Sequence, residues 1–276
     1  MTETDLDHVG FAVHDAAAQL RRLHTMGVLL PAAGEEDDGF RYVIGRRAQP
    51  DRGIRIELLD PHGDDTSFLA KYLQSHGEGA HHITFMVGDL DATLGRLREI
   101  GVPVTQVDVS YPPWREAFIH PSTGLGTVVQ LASSTHTYPA GDGPCDGGDP
   151  LQVPHRRTGR NRHWWRDVID TQPQGSPITV AGIELGTTDL ELVHRIFAHA
   201  LGGTKAPTGD TPVERFVWQT GYVDVRRSDH ASIALRLWNR RDEVPDFEIG
   251  RTSVRPDHRL YPASPTSRGA IARRNK

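Results

Sequence analysis

LDHVGFAVHDAAAQLRRLHTMG, residues 6–27, and HHITFMVGDLDATLGRLREIG, residues 81–101, carry one pattern twice. Each begins with an apolar, β-rich run and passes through an aspartate into apolar residues at helical spacing. In the first copy Ala17, Leu20, Leu23 and Met26 fall near one helical face. In the second, Asp89 is placed to cap a helix lined by Leu90, Leu94, Leu97 and Ile100 and ended by Gly101. Strand-like runs follow in both halves: around Phe40–Ile44 and in IRIELLDP (54–61), then in PVTQVDV, REAFIHP and GTVVQLAS. This is a βαβββ unit repeated at about 73 residues, and such a repeat decides the fold before any single element does. Between the copies, TSFLAKYLQSHGEG reads as an extra helix. Thr66 or Ser67 caps it, Phe68, Leu69, Tyr72 and Leu73 form its buried face, and Gly77 ends it.

The chain has 276 residues, and at roughly 100–200 residues per domain that allows one large domain or two small ones. The pattern divides it into a double βαβββ domain at 1–133, a Gly/Pro/Arg-rich linker at 134–177, a degenerate third copy at 178–250 and an extended or disordered tail at 251–276. In the third copy ITVAGIELG (178–186) leads into a helix capped by Asp189 and ended by Gly202. Aligned on the cap, the position of His8 becomes Gly182; aligned on the last strand, the position of Glu57 becomes Arg236. The expected fold class is therefore α+β: paired βαβββ modules forming a cupped mixed sheet, with a degenerate third module toward the C-terminus.

Composition removes several classes. No run approaches the ~18 apolar residues of a membrane span. The start, MTETDLDHVG, has neither a basic region nor an apolar core, so no secretion signal is expected. The single cysteine, Cys145, forms no internal disulfide, which fits a cytoplasmic protein. Arg156, Arg157, Arg160, Arg162 and Arg166, beside Trp164 and Trp165, could hold phosphates, of a nucleic acid or of a coenzyme A tail. With a net charge of −5 and no recognition motif, nucleic acid is not an expected partner. The ordinary explanation is a solvated arm whose tryptophans dock on a neighbouring domain.

Four matched positions carry the chemistry. His8 corresponds to His82, and Glu57 to Gln130, each on the first or last strand of its unit. Two imidazoles and a carboxylate suit a divalent transition metal, and an amide oxygen can complete the set. Strand alternation sends Val9 and Phe11 opposite to His8, and Ile56 and Leu58 opposite to Glu57. His81 aligns with Asp7, one residue out of phase, and is expected on the other face. Of the 15 histidines, only His8 and His82 have positional grounds for binding metal.

LDHVGFAV, IELLDP, FLAKYLQSHGEGAHHITFMV and FIHPSTGLGTVVQL resemble the vicinal oxygen chelate superfamily of glyoxalases, bleomycin-resistance proteins and extradiol dioxygenases, nearest to its methylmalonyl-CoA epimerases. The resemblance covers about residues 6–132. It implies a divalent metal (zinc, cobalt, nickel, manganese or iron) held in the cup by His8, Glu57, His82 and Gln130. It also exposes departures. Those epimerases carry glutamine at the position of Glu57 and glutamate at that of Gln130, and their second acid/base glutamate aligns with Tyr42. An amide is no general base, and a phenol ionises only near pH 10, at about its unperturbed pKa, so Tyr42 is a catalytic candidate only with the metal or a cation to lower it. Replacement bases are Glu57 itself and Glu116, with His120 beyond it and Trp114 as a pocket wall. The plainer roles are a surface carboxylate for Glu116 and a turn-stabilising residue for His120. The expected function is a metal-dependent epimerase, isomerase or lyase that stabilises an enolate-like intermediate of a small carbonyl or acyl-CoA substrate, in a chain able to form a homodimer. Two alternatives stand beside it: a non-haem iron dioxygenase built on His8, His82 and Glu57, and a small-molecule-binding or resistance protein without turnover.

Overall fold

The structure is a computed structural model that describes residues 4–27, 29–36, 38–46, 53–63, 67–135, 161, 164–169, 178–208, 212–230, 232–238 and 248–256. The first unit runs β1 (Asp5–Ala12), α1 (Ala16–Thr25), β2 (Leu29–Glu36), β3 (Phe40–Arg46) and β4 (Arg55–Pro61). After α2 (Phe68–His76) the second unit runs β5 (Gly79–Met86), α3 (Leu90–Glu99), β6 (Thr105–Asp108), β7 (Arg115–Ile119) and β8 (Val128–Ser133). The two unit helices start alike. Asp15 accepts from the amide of Ala18, and Asp89 from that of Ala92, satisfying amides that the helix leaves open. Ser67 and Gly77 bound α2.

These strands form one eight-stranded sheet in the order β2-β3-β4-β1-β5-β8-β7-β6. β1 runs parallel to β4, β5 parallel to β8, and β1 antiparallel to β5. A pseudo-twofold axis therefore passes through the β1–β5 seam and exchanges β4 with β8 and β3 with β7. Alternation buries Val9, Phe11, Ile56, Leu58, Ile83, Phe85, Val129 and Leu131 under Leu20, Leu23, Leu90 and Leu97 of the helices. His8, Glu57, His82 and Gln130 face the other way, into a cavity.

The C-terminal part repeats the plan further than the sequence reading expects. The third unit is β9 (Thr179–Thr187), α4 (Leu190–His194) with a π-helical continuation at Arg195–Ala200, β10 (Thr204–Ala206), β11 (Val213–Val217) and β12 (Tyr222–Arg227). Then come β13 (Ser232–Trp238), β14 (Glu248–Ile249) and β15 (Thr252–Pro256). The second sheet has the order β10-β11-β12-β9-β13-β15-β14, so β13 takes the place of β5 and β15 that of β8. This corrects one alignment. β12, not β13, lies parallel to β9, and Glu184 pairs with Asp224 as Gly10 pairs with Glu57. Asp224 is thus the counterpart of Glu57, while Arg236 pairs with Gly182 as Thr84 pairs with His8. The strand expected to end the third copy opens a partial fourth.

The tail also needs correction. Residues 252–256 are a strand parallel to β13, and Ile249 is buried, so the expected boundary at 251 falls inside a hairpin. A five-residue strand of mixed polarity (TSVRP) takes its order from β13's hydrogen bonds, and its composition does not announce it. Residues 257–276 lie outside the described residues, as do Arg156, Arg157, Arg160, Arg162 and Cys145. Within the linker, Trp164–Asp167 forms a 3-10 turn with both tryptophans buried. The Trp164 indole donates to the carbonyl of Tyr42 at 3.2 Å, and the Arg41 guanidinium lies 4.3 Å above its ring. These aromatic faces are spent on the protein itself. Among the described residues, no helix is long and apolar enough to cross a membrane.

Candidate metal centre

β1, β4 and β5 bring three ligand-type side chains together. Glu57 Oε2 lies 3.6 Å from His8 Nε2 and 3.2 Å from His82 Nε2, and the two imidazole nitrogens are 3.4 Å apart. A metal with bonds of about 2.0–2.1 Å at tetrahedral or octahedral angles holds its ligand atoms about 3 Å apart or slightly more. The three edges fit that requirement, and the two-nitrogen, one-carboxylate donor set fits a divalent transition metal.

The surroundings bias the charges. Burial opposes ionisation of Glu57, but the charges and hydrogen bonds of His8 and His82 outweigh it and hold the carboxyl well below its usual range. Burial likewise opposes protonation of His8, yet the Glu57 charge and the Asp7 bond raise its pKa. Asp7 Oδ2 sits 2.7 Å from His8 Nδ1 and is paired with Arg55. Despite burial, these two partners keep Asp7 below the ordinary carboxylate range.

Gln130 lies beside the trio rather than against it. Its Oε1 accepts from Thr84 Oγ1 at 2.6 Å, and that hydroxyl is 2.9 Å from His8 Nε2. Its Nε2 donates to Glu116 Oε2 at 2.7 Å, and the Trp114 indole donates to the same oxygen at 2.8 Å. A continuous hydrogen-bonded path thus joins His8 to Glu116. Tyr42 stands elsewhere on the wall, packed with Ala12, Phe40 and Leu59. The cavity that these residues share has a volume of about 550 Å³.

Two expectations change here, for His81 and Phe68, and the turn-stabilising role expected of His120 holds. His81 is not on the opposite face. The β1–β5 register slips between the Gly10–His82 and Phe11–Ala80 pairs, leaving His81 as the extra residue of a bulge. Its Nδ1 lies 3.0 Å from His82 Nδ1, and it too lines the cavity. Burial, then the charge of His82, lowers its pKa to about 3. Phe68 is not buried: it is 47% exposed, with its ring edge against Phe40 at the cavity wall. His120 follows the end of β7 and caps the 3-10 turn Pro121–Thr123, accepting from the Ser122 amide, while also lining the cavity. Thr84 is the residue sequence reasoning missed. Its signal was present: it stands two residues after His82, as Gly10 does after His8.

Known proteins are similar to the first double module. A family model described as Glyoxalase/Bleomycin resistance protein/Dioxygenase superfamily matches residues 7–118. An ethylmalonyl-CoA/methylmalonyl-CoA epimerase of Cereibacter sphaeroides is 32% identical over 132 residues, 46% of this chain and 95% of that one. Among solved structures, the methylmalonyl-CoA epimerase of Mycobacterium tuberculosis is 32% identical, with a TM-score of 0.43, over 48% of this chain and 89% of that one. A Streptomyces coelicolor methylmalonyl-CoA epimerase in complex with 2-nitronate-propionyl-CoA is 27% identical, with a TM-score of 0.43, over 49% of this chain and 96% of that one.

Proposed function

The chain belongs to the glyoxalase/bleomycin resistance protein/dioxygenase superfamily, and from that premise we propose that its first double module is a divalent-metal enzyme that removes a proton beside a carbonyl, as an epimerase, isomerase or lyase. The observation that carries the reading is the His8–Glu57–His82 cluster at the floor of the cavity. His8, His82 and Glu57 would hold the metal, with Gln130 as a fourth donor once its amide turns from Thr84. When bound, the metal supplies Lewis-acid stabilisation of the negative charge that develops on the substrate oxygen.

The base is Glu116. The resemblance puts carboxylates at the positions of Gln130 and Tyr42, and this chain carries them at Glu57 and Glu116. The registers relate the two arrangements. Ile44 pairs with Glu57 as Phe118 pairs with Gln130, so Tyr42 and Glu116 are exchanged by the pseudo-twofold axis together with Glu57 and Gln130. Both carboxylates have changed sides at once. One carboxylate ligand and one carboxylate base survive, turned half a revolution about the seam. In this reading Gln130 and Trp114 orient Glu116 through its Oε2. Tyr42 faces it across the cavity as a proton donor or polar wall. The relatives' names support an acyl-CoA as substrate, and small carbonyl compounds belong to the same class of reaction.

The test is exchange of a substrate α-proton with deuterated water, alongside metal analysis. Glu116→Gln is expected to keep the metal and lose about 10²-fold or more in exchange rate. The His8→Ala, His82→Ala double variant is expected to lose the metal. Wild-type protein that retains no divalent metal, or an unchanged rate in Glu116→Gln, ends this reading.

A second reading has one observation in its favour. The trio is by itself two histidines and one carboxylate, the set of non-haem iron oxygenases. Substrate-dependent oxygen uptake with iron would favour it. Full anaerobic activity with cobalt, manganese or nickel would exclude it.

A further inference from the structure

We propose that His81 is a positioning residue for the His82 ligand, the neutral counterpart of Asp7 behind His8, so that the centre's two histidines are held by partners of opposite character. The inference rests on the reading of His8, Glu57 and His82 as metal ligands. It starts from a symmetry that strand alternation hides. Asp7 and His81 each immediately precede a ligand histidine. In a regular strand each would point to the opposite face. The β1–β5 ladder slips twice, once between Leu6 and His8 and once between Gly10 and Phe11, and the residues left over are Asp7 and His81. Two bulges, related by the pseudo-twofold axis, therefore turn the preceding residue back onto the ligand ring.

The two contacts are alike in place and opposite in chemistry. Asp7 Oδ2 meets His8 Nδ1 at 2.7 Å, and His81 Nδ1 meets His82 Nδ1 at 3.0 Å. Only one proton fits between two imidazole nitrogens at that distance. For His82 to present the lone pair of Nε2 to a metal, its proton must sit on Nδ1 and be donated to His81. His81 must then accept through Nδ1 and carry its own proton on Nε2. The surrounding rings hold it in place: Tyr72 meets it edge-on at 4.6 Å, and Phe68 lies 6.2 Å away. An anion behind His8 strengthens that ligand as a donor; an uncharged imidazole behind His82 fixes tautomer and ring angle without adding charge.

Two variants of the full chain separate positioning from packing. His81→Phe keeps a ring against Tyr72 and Phe68 and removes the acceptor. His81→Asn loses the ring and keeps an acceptor near the place of Nδ1. Zinc affinity is measured by competition with a chromophoric chelator, and the His82 tautomer by nitrogen-15 NMR of the zinc-stripped protein. His81→Phe is expected to weaken zinc binding about 10–100-fold and to shift the His82 tautomer, while His81→Asn restores most of both. Wild-type affinity and tautomer in His81→Phe overturn the proposal, as does equal loss in both variants. Failure of the wild type to bind zinc, or cobalt, nickel, manganese or iron in its place, overturns the proposed function first. Loss in His81→Phe alone cannot be mistaken for that outcome, because the wild type binds in the same assay.

Discussion

Gly10 has no side chain, and the His82 ring occupies the space one would take. Gly10 pairs with His82 on one side and Glu57 on the other, so its bare backbone lets those two side chains meet. Across the axis the same position is Thr84, whose hydroxyl fills the gap and reaches both His8 and Gln130. Gly10→Ala is therefore expected to cost about 1–3 kcal/mol, as overpacked sites do, and to displace His82 from the centre. Denaturant melts with metal stoichiometry check this, and a variant of wild-type stability and full metal content would contradict it. The titration of His8 and Glu57 sets a second expectation. His8 is held above its ordinary value, so its contribution without metal is complete below about pH 6.5 and is lost as pH rises through the raised pKa. Glu57 is held below its ordinary value, so its contribution is complete above about pH 4.5 and is lost as pH falls through the lowered pKa. In the proposed function a metal would take the place of the His8 proton. The gap in Tm between zinc-loaded and zinc-stripped protein should therefore be wider near pH 8 than near pH 6, the side on which His8 loses its proton. A gap that narrows with pH would remove His8 from the ligand set.

Parity along the strands explains how far the elements were legible. Asp15 and Asp89 mark helix starts at a fixed distance after β1 and β5, and alternation then separates core from cavity in β1, β4 and β8. The repeat thereby predicted His8, Glu57, His82 and Gln130 on one face, and the structure places them on one face. Two features lay beyond that logic. A bulge leaves no trace in polarity, so His81 was assigned the wrong face. The β14–β15 hairpin owes its order to long-range contacts: the Arg251 amide donates to the Glu78 carbonyl at 2.9 Å, and the Ala80 amide to Thr252 Oγ1 at 2.8 Å. Gly250 sits at the turn with φ +59, and a Cβ there would run into the Glu78 backbone. That hairpin clamps the first residues of β5, immediately before His81. Gly250→Ala is expected to cost about 1–3 kcal/mol through backbone strain and to speed amide exchange at Ala80 while leaving α3 protected. Unchanged exchange at Ala80 would show that the hairpin rests on β5 without holding it.

At the scale of the whole chain, the second sheet repeats the first one's connectivity without its chemistry. Gly182 stands where the first ligand would be. Asp224, the counterpart of Glu57, is paired with Arg215 at 2.7 Å, and Glu184 pairs with Arg226 at 2.9 Å and with Arg236. Carboxylates answered by guanidinium groups have no call for a metal. The two sheets share one core rather than meeting at a wet boundary. Ile54 bridges to Val180, Arg96 donates to the Ala200 carbonyl at 2.9 Å, and Arg195 donates to that of Ile100 at 3.0 Å. Phe85, fully buried on the back of β5, lies 5.7 Å from Phe197 and 4.9 Å from Trp218. A core continuous through both sheets cannot lose one half and keep the other. Phe85→Ala should remove about 3–5 kcal/mol, the usual cost of an excavated aromatic. The loss should appear in both halves together, as one transition shifted to lower denaturant. Trp164 and Trp165 report on the first sheet and Trp218 on the second. Single-tryptophan variants followed by fluorescence should therefore give coincident melts before and after the substitution. If the Trp218 signal moves while that of Trp164 and Trp165 stays, the halves fold separately, and the second sheet does not support the strand that carries His82.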